Sequence, residues 1–291
     1  ALGSGTSASE LVVGSDGADT LTGGGGVDRF NAGAGDDTIV LTASDTANLS
    51  STTGAVRASV DGGNGFDTVR LTGGANLDLT TIGNIGADVG NGTSRVNSIE
   101  RIDLATDSAA NTLTITARDV NDMSGYNQIR TGGVSSDGKT WTNVNGGTAL
   151  SATTRFQQVV VEGTSNDTLN LGAGFTMVGT VSNGTANYDV YQNTATNSQV
   201  IASSAITNRV FDLEPILVST SPADNSTVPF ANVGNDLSLT FSEAVKAGTG
   251  VIEVYRANGT LFERFNVATG VGSAGGPLTG FNSHTLTLTP N

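Results

Sequence analysis

GSDGADTLT (14–22), GGGGVDRFN (23–31) and AGAGDDTIV (32–40) follow one another without a gap. In each nonamer a glycine-rich turn ends on an aspartate at the sixth place, Asp19, Asp28 or Asp37. A short strand follows, with a lone apolar residue at the eighth place, Leu21, Phe30 or Ile39. Glycine suits such a turn because a Cβ would forbid its backbone angles and because its carbonyls must approach one ion closely. The pattern reads as a calcium site written into the backbone. A fourth copy, GGNGFDTVR, fills residues 62–70, with Asp67 and Val69 in the same places, after an insertion over 41–61 that interrupts the register.

Composition narrows the alternatives. Thirteen Lys plus Arg stand against 27 Asp plus Glu, a formal charge of −14 over 291 residues. That balance runs against nucleic acid and anionic membrane surfaces as partners, since phosphate binding needs the opposite sign. With no cysteine, neither disulfides nor thiolate metal sites can staple the chain, and stability has to come from packing and ions. No apolar run is long enough to span a bilayer. The first residues, ALGSGTSASE, lack a basic-then-apolar signal pattern, and a start without methionine reads as an excerpt of something longer. Forty glycines with abundant Thr, Asn, Ser and Val predict many short strands and turns, hence an all-β fold.

On its tandem nonamers the chain resembles the repeats-in-toxin (RTX) family of secreted bacterial proteins. The resemblance implies a right-handed parallel β-roll, or β-solenoid, with Ca2+ between successive turns on each side. By that geometry copies one and three stack on one edge, where Asp19 and Asp37 share an ion with carbonyls of Gly14, Asp16, Gly33 and Gly35. Copies two and four make the other site from Asp28, Asp67 and carbonyls of Gly23, Gly25, Gly63 and Gly65. The insertion either loops out of the roll or displaces the fourth copy. Burying Leu21, Phe30 and Ile39 does not offset the ordering of so many glycine-rich residues, so the ion-free roll is expected to be disordered. Extracellular calcium modules bind at about 0.1 to 1 mM, and magnesium, with its tighter octahedral demand, should substitute poorly.

Beyond the repeats, residues 68–82 read as two strands with a break at Gly73 and Gly74, and residues 96–106 as a turn feeding a strand. A short helix is expected after Thr116 as N-cap, with Asp119 in its first turn and Gly125 at its end. VEGTSNDTLNL parallels VDGGNGFDTVRL one residue short, which puts Asp167 where Asp67 sits, in a degenerate copy with a shortened loop. The series SIERIDLA, ARDVNDM, VVVEGTSNDTLNL and NYDVYQN looks like the segment that follows such repeats in calcium-dependent bacterial adhesins. Core positions are expected for Tyr126, Trp141, Tyr188 and Tyr191, with Trp141, in a polar stretch, the best candidate for exposure and sugar stacking. Residues 41–61 and 131–150 are plausible contact surfaces.

A boundary is expected near residue 212, giving units 1–212 and 213–291. The second unit, with LSLTFSEAV, GVIEVYRANGT and HTLTLTP, resembles bacterial immunoglobulin-like β-sandwiches of S-layer proteins and adhesins, and by that resemblance its sheet is expected to be incomplete. Asp212 and Glu214 at the joint are candidates for a linker ion, and Glu243 for a structural hydrogen bond. With one histidine, His284, neither a zinc-protease motif nor a Ser-His pairing is available, so no enzyme is expected. Three functions fit the resemblance: a cell-surface adhesin segment serving attachment or biofilm formation, a calcium-assembled S-layer or sheath subunit, and the secretion tail of an exported enzyme. The expected location is extracellular, and the expected partners are glycans or cell-surface ligands and neighbouring domains or subunits.

Overall fold

A strand of three residues cannot stand alone; it persists by pairing with copies of itself above and below. The computed structural model describes residues 2–51, 57–82, 95–144, 147–150, 154–211, 217–222 and 236–290, and the chain divides into two units, Ala1–Asp212 and Leu213–Asn291. The first unit winds circuit upon circuit. Its early circuits run β1 (Leu2–Ser4) to β2 (Leu11–Val13) and β3 (Thr20–Thr22) to β4 (Arg29–Asn31). The next runs β5 (Thr38–Leu41), helix α1 (Ala43–Ser50) and β6 (Ser59–Asp61), followed by β7 (Thr68–Leu71), β8 (Asn76–Asp78) and β9 (Val96–Asn97). Then come β10 (Arg101–Asp103), β11 (Thr112–Ile115) and helix α2 (Ala117–Met123). After β12 (Thr142–Asn143) the chain forms β13 (Gln157–Glu162) and β14 (Thr168–Leu171). The hairpin β15 (Thr176–Ser182) and β16 (Asn187–Asn193) precedes β17 (Ser198–Ser203) and β18 (Asn208–Phe211).

Strands β1, β3, β5, β7, β10, β13 and β17 form one parallel wall, which β16, β15 and β12 extend in antiparallel fashion. Facing walls are β2-β4-β6-β9 and β8-β11-β14-β18, both parallel. The roll thus begins with two walls and acquires a third. Helix α1 packs against β8 and helix α2 against β9, so each helix finishes one of the facing walls. Inward residues are in register along the first wall, Leu21 to Ile39 to Val69 to Ile102 to Val161, and none of them is more than 1% exposed. Val12, Phe30, Val60 and Val96 oppose them. The eighth places of the nonamers therefore make the core.

The insertion overturns one expected stacking. Because residues 41–61 supply α1 and a strand, β6, that pairs with β4, a whole circuit separates β5 from β7. The fourth copy lands on copies one and three, and Asp67 with Gly63 and Gly65 is not opposite Asp28 with Gly23 and Gly25. The copy around Asp167 is likewise displaced, since it leads from β13 into β14 on a facing wall, whereas Asp67 leads into the first wall. Helix α2 starts at N-cap Thr116 and ends at Ser124, one residue before Gly125; the Ser124 hydroxyl donates to the Val120 carbonyl at 2.6 Å. Trp141 is fully buried against Tyr188, ring centroids 4.8 Å apart, with its Nε1 donating to Asp137 at 3.1 Å. Of the four aromatics expected in the core, Tyr126 is instead exposed, at 53%, with the Arg155 guanidinium over its ring.

In the second unit β19 (Leu217–Ser221), β20 (Leu237–Val245), β25 (Ser283–Leu288) and β24 (Leu278–Thr279) form an antiparallel sheet. Strands β21 (Val251–Tyr255), β22 (Leu261–Asn266) and β23 (Val271–Gly272) form another, and Phe265 and Leu286 bring the two into one core. Asp212 and Glu214 lie outside the described residues, and the side chains of Glu243 and His284 are likewise not described.

Helix α1 has no packing partner as regular as a strand ladder, and Arg95 compensates. Its buried guanidinium donates to the carbonyls of Ala58 at 3.0 Å, Ser51 at 3.0 Å and Asn48 at 3.1 Å, joining the helix end to the wall beneath it. Arg95→Ala is expected to lower stability by about 3 kcal/mol in urea unfolding at saturating calcium, because carbonyls lose a charged donor in a buried place. An unchanged midpoint would show that the helix is held by packing alone.

Candidate metal centre

Each glycine turn rests backbone to backbone on the next. Gly33 and Gly63 take φ of 104° and 91°, and a Cβ on Gly63 would lie 2.0 Å from the Gly33 carbonyl oxygen. No other residue fits that contact. The Ala34 N–H donates to the Ser15 carbonyl, the Asn64 N–H to the Gly33 carbonyl and the Gly35 N–H to the Asn64 carbonyl, at 2.8 to 3.0 Å. Gly14, Asp16, Asp19, Gly33, Gly35, Asp37, Gly63, Gly65 and Asp67 thus share one edge. Gly23, Gly25 and Asp28 occupy the other.

The acids form a ladder along the first edge. Asp37 Oδ1 accepts the Asp19 N–H at 2.7 Å, Asp67 Oδ1 accepts the Asp37 N–H at 2.8 Å, and Glu100 Oε2 accepts the Asp67 N–H at 3.0 Å. These steps span 18, 30 and 33 residues of chain, yet each rung is the same bond. On the second edge Asp28 Oδ1 accepts the Glu10 N–H at 3.0 Å. Glu10 and Glu100 were not foreseen from sequence. Gly5 and Leu11–Val13 at the nonamer spacing mark the turn that carries Glu10, but glutamate in the sixth place conceals it; Glu100 lies in a turn without glycine, and no sequence signal points to it.

What happens to the other carboxylate oxygen divides the turns into two kinds. Where the second place of the turn is a hydroxyl residue, that oxygen is satisfied locally: Ser15 donates through N–H and Oγ to Asp19 Oδ2, both at 2.6 Å, and Thr6 donates likewise to the Glu10 carboxylate. Where that place is Gly24, Gly33 or Gly63, Oδ2 of Asp28, Asp37 or Asp67 is buried with no hydrogen-bond partner. A buried carboxylate oxygen without a partner costs free energy that a bound cation would remove. The turn around Asp167 is of the first kind. Thr164 donates to Oδ2 through N–H at 2.8 Å and hydroxyl at 3.0 Å, and the Asn111 N–H donates to Oδ1 at 3.1 Å.

Electrostatics agree with that division. Burial pushes the Asp67 carboxyl up to about 6 against the Asp37 N–H bond, helped by the charges of Asp37, Asp36 and Asp61. Burial likewise raises Glu100 to about 7, in spite of N–H bonds from Asp67, Gly125 and its own amide and with the charge of Asp67 adding to the rise. Burial also raises Asp37 and Asp28, to which Asp19 and Asp36, and Asp45 and Glu10, add repulsion. Among the described residues no three His, Cys, Asp or Glu side chains converge in a way that could hold a metal. An ion here takes most of its ligands from carbonyls, and a site of oxygen donors alone favours a hard cation such as Ca2+ over zinc. The Gly33 carbonyl, though already bonded to the Asn64 N–H, keeps a second lone pair.

No curated protein and no solved structure is significantly similar to the chain. Residues 4–39 match the family model described as RTX calcium-binding nonapeptide repeat, four copies. That span includes the turn of Glu10 and leaves out residues 62–70. Calcium binding by the turns carries a contrast that circular dichroism can read. Asp37→Asn, which keeps the acceptor for the Asp19 N–H but halves the local charge, should shift the calcium midpoint of the β signal roughly tenfold upward. Asp167→Asn should lower stability equally with calcium and with EDTA. An Asp37→Asn titration that overlays the parent chain would remove the ion from this edge. The repeats in residues 4–39 are RTX nonapeptides, and the ion such repeats bind is calcium.

Proposed function

We propose that this chain is a segment of a secreted bacterial cell-surface adhesin, in which calcium folds and stiffens the N-terminal roll and thereby sets a rigid stalk. The observation that carries the reading is the column of buried, unpartnered aspartate oxygens in RTX turns. RTX repeats are typical of secreted bacterial proteins, where calcium is abundant. In this reading Asp19 and Asp37 hold an ion with carbonyls of Gly14, Asp16, Gly33 and Gly35. Asp37 and Asp67 hold the next with Gly33, Gly35, Gly63 and Gly65. On the other edge Asp28 serves with Gly23, Gly25 and the turn of Glu10. The ions cross-link turns whose glycines bury too little apolar surface to order themselves.

The chain acts by shape and surface rather than by catalysis. Its acidic surface keeps an exported chain soluble, and the two antiparallel sheets of the second unit are compatible with an immunoglobulin-like module of the kind strung along adhesins. Glycans or cell-surface ligands are the partners that fit. A glycan array and a bead-to-cell adhesion assay in millimolar calcium, repeated in EDTA, test the function. Binding that is present in calcium and abolished in EDTA is the expected result. Calcium-dependent sheets or filaments in electron micrographs, with no glycan or cell bound, would instead make the chain an S-layer or sheath subunit.

A further inference from the structure

We propose that the groove between residues 131–156 and the hairpin β15–β16 binds a neutral saccharide that carries an acetamido group. The inference rests on the reading that glycans are partners of the chain, and it gives them a place. What points there is a rank of glutamines. Gln158 on β13, Gln199 on β17 and Gln192 on β16 stand side by side in register, with Gln158 3% and Gln199 0% exposed. Two residues along, the same face carries Val160, Ile201 and Val190, all buried. Apolar side chains thus fill this face elsewhere, and amides in their place cost desolvation unless each is bonded.

The rank is bonded in one direction. The Ile129 N–H donates to Gln158 Oε1 at 2.8 Å, which makes Gln158 Nε2 the donor to Gln199 Oε1 at 2.8 Å. Gln199 Nε2 in turn donates to Gln192 Oε1 at 3.0 Å and to the Ala149 carbonyl at 3.2 Å. The relay therefore ends on the NH2 group of Gln192, a donor, and Gln192 lines the groove. Asn143 on β12 repeats the arrangement: its Oδ1 accepts the Ala149 N–H at 3.1 Å, and its NH2 group remains a donor. The groove, of about 550 Å³, sets these two amides beside Thr131, Leu150, Phe156 and Val178. None of its described lining residues is charged, in a chain of net charge −14. Val178 is the extra residue of a β-bulge, skipped between the pairs Met177–Tyr191 and Gly179–Val190, and is 41% exposed; bulges re-aim side chains in this way. Phe156 is only 4% exposed, so it offers no ring face on which a pyranose could stack. An acetamido group meets both conditions, because its carbonyl accepts from the fixed NH2 donors while its small methyl lies against Val178.

Saturation-transfer NMR on the full chain in millimolar calcium, with chitotriose and cellotriose as probes, tests the site. Chitotriose should bind with its acetyl methyl protons the most strongly saturated, and cellotriose, which lacks the acetamido group, should not. Gln192→Glu keeps the oxygen that Gln199 bonds and removes the donor, so it should weaken chitotriose binding roughly tenfold with the thermal midpoint unchanged. Should that variant lose stability, Val178→Asp at the exposed bulge decides: lost chitotriose binding supports the site, and unchanged binding overturns it. A parent chain that ignores chitotriose, or binds cellotriose equally well, also overturns it. A glycan array on which the parent and Val178→Asp bind alike removes this groove and leaves the adhesin reading standing, whereas a parent that binds no glycan and no cell removes both.

Discussion

The first unit depends on one hydrogen bond made repeatedly: the carboxylate oxygen of an acid just before a strand accepting the peptide N–H of the residue in the matching place one circuit earlier. Asp37, Asp67 and Glu100 make it along one edge, Asp28 makes it on the other, and Asp167 makes it to Asn111 further along. The bond fixes where each circuit begins, whatever the length of chain between. It also gathers negative charges into a buried file, and the structure answers that cost in more than one way.

A hydroxyl in the turn is one answer. At Asp167 the Thr164 side chain and amide complete the carboxylate, so that circuit closes with protein groups alone. Glycine in the same place is the other answer, because Gly24, Gly33 and Gly63 offer no side-chain donor and let turns touch backbone to backbone. One residue type thus separates turns whose Oδ2 has a donor within the turn from turns whose Oδ2 has none. Asn48 shows a third device: its side-chain amide donates to the Gly26 carbonyl, so helix α1 covers the turn where another glycine turn would have stacked.

Much of this was legible in the sequence. The period of nine places Leu21, Phe30, Ile39 and Val69 in the core, and Thr116 with Asp119 announces α2. Where the period breaks, legibility ends for a physical reason. Nothing in residues 41–61 says whether an insertion adds half a circuit or a whole one, and that parity alone decides which edge Asp67 joins. Trp141 sits in a polar stretch, but its ring meets Tyr188 and its N–H meets Asp137, partners far or oddly placed in sequence. Glu10 and Glu100 perform an aspartate's task with one more methylene, which a pattern built on aspartate does not register.

The two helices carry a consequence for fidelity. Near-identical nonamers can pair with one another in shifted alignments, each offset by eighteen residues still burying its Leu, Phe or Ile and still matching acid to amide. Helix α1, tied by Arg95 to one particular level of the stack, and α2, which finishes a wall at another, are not repeated. They act as index marks on an otherwise translationally degenerate ruler, so that of all the ways the glycine turns can slide, one alone lets both marks seat.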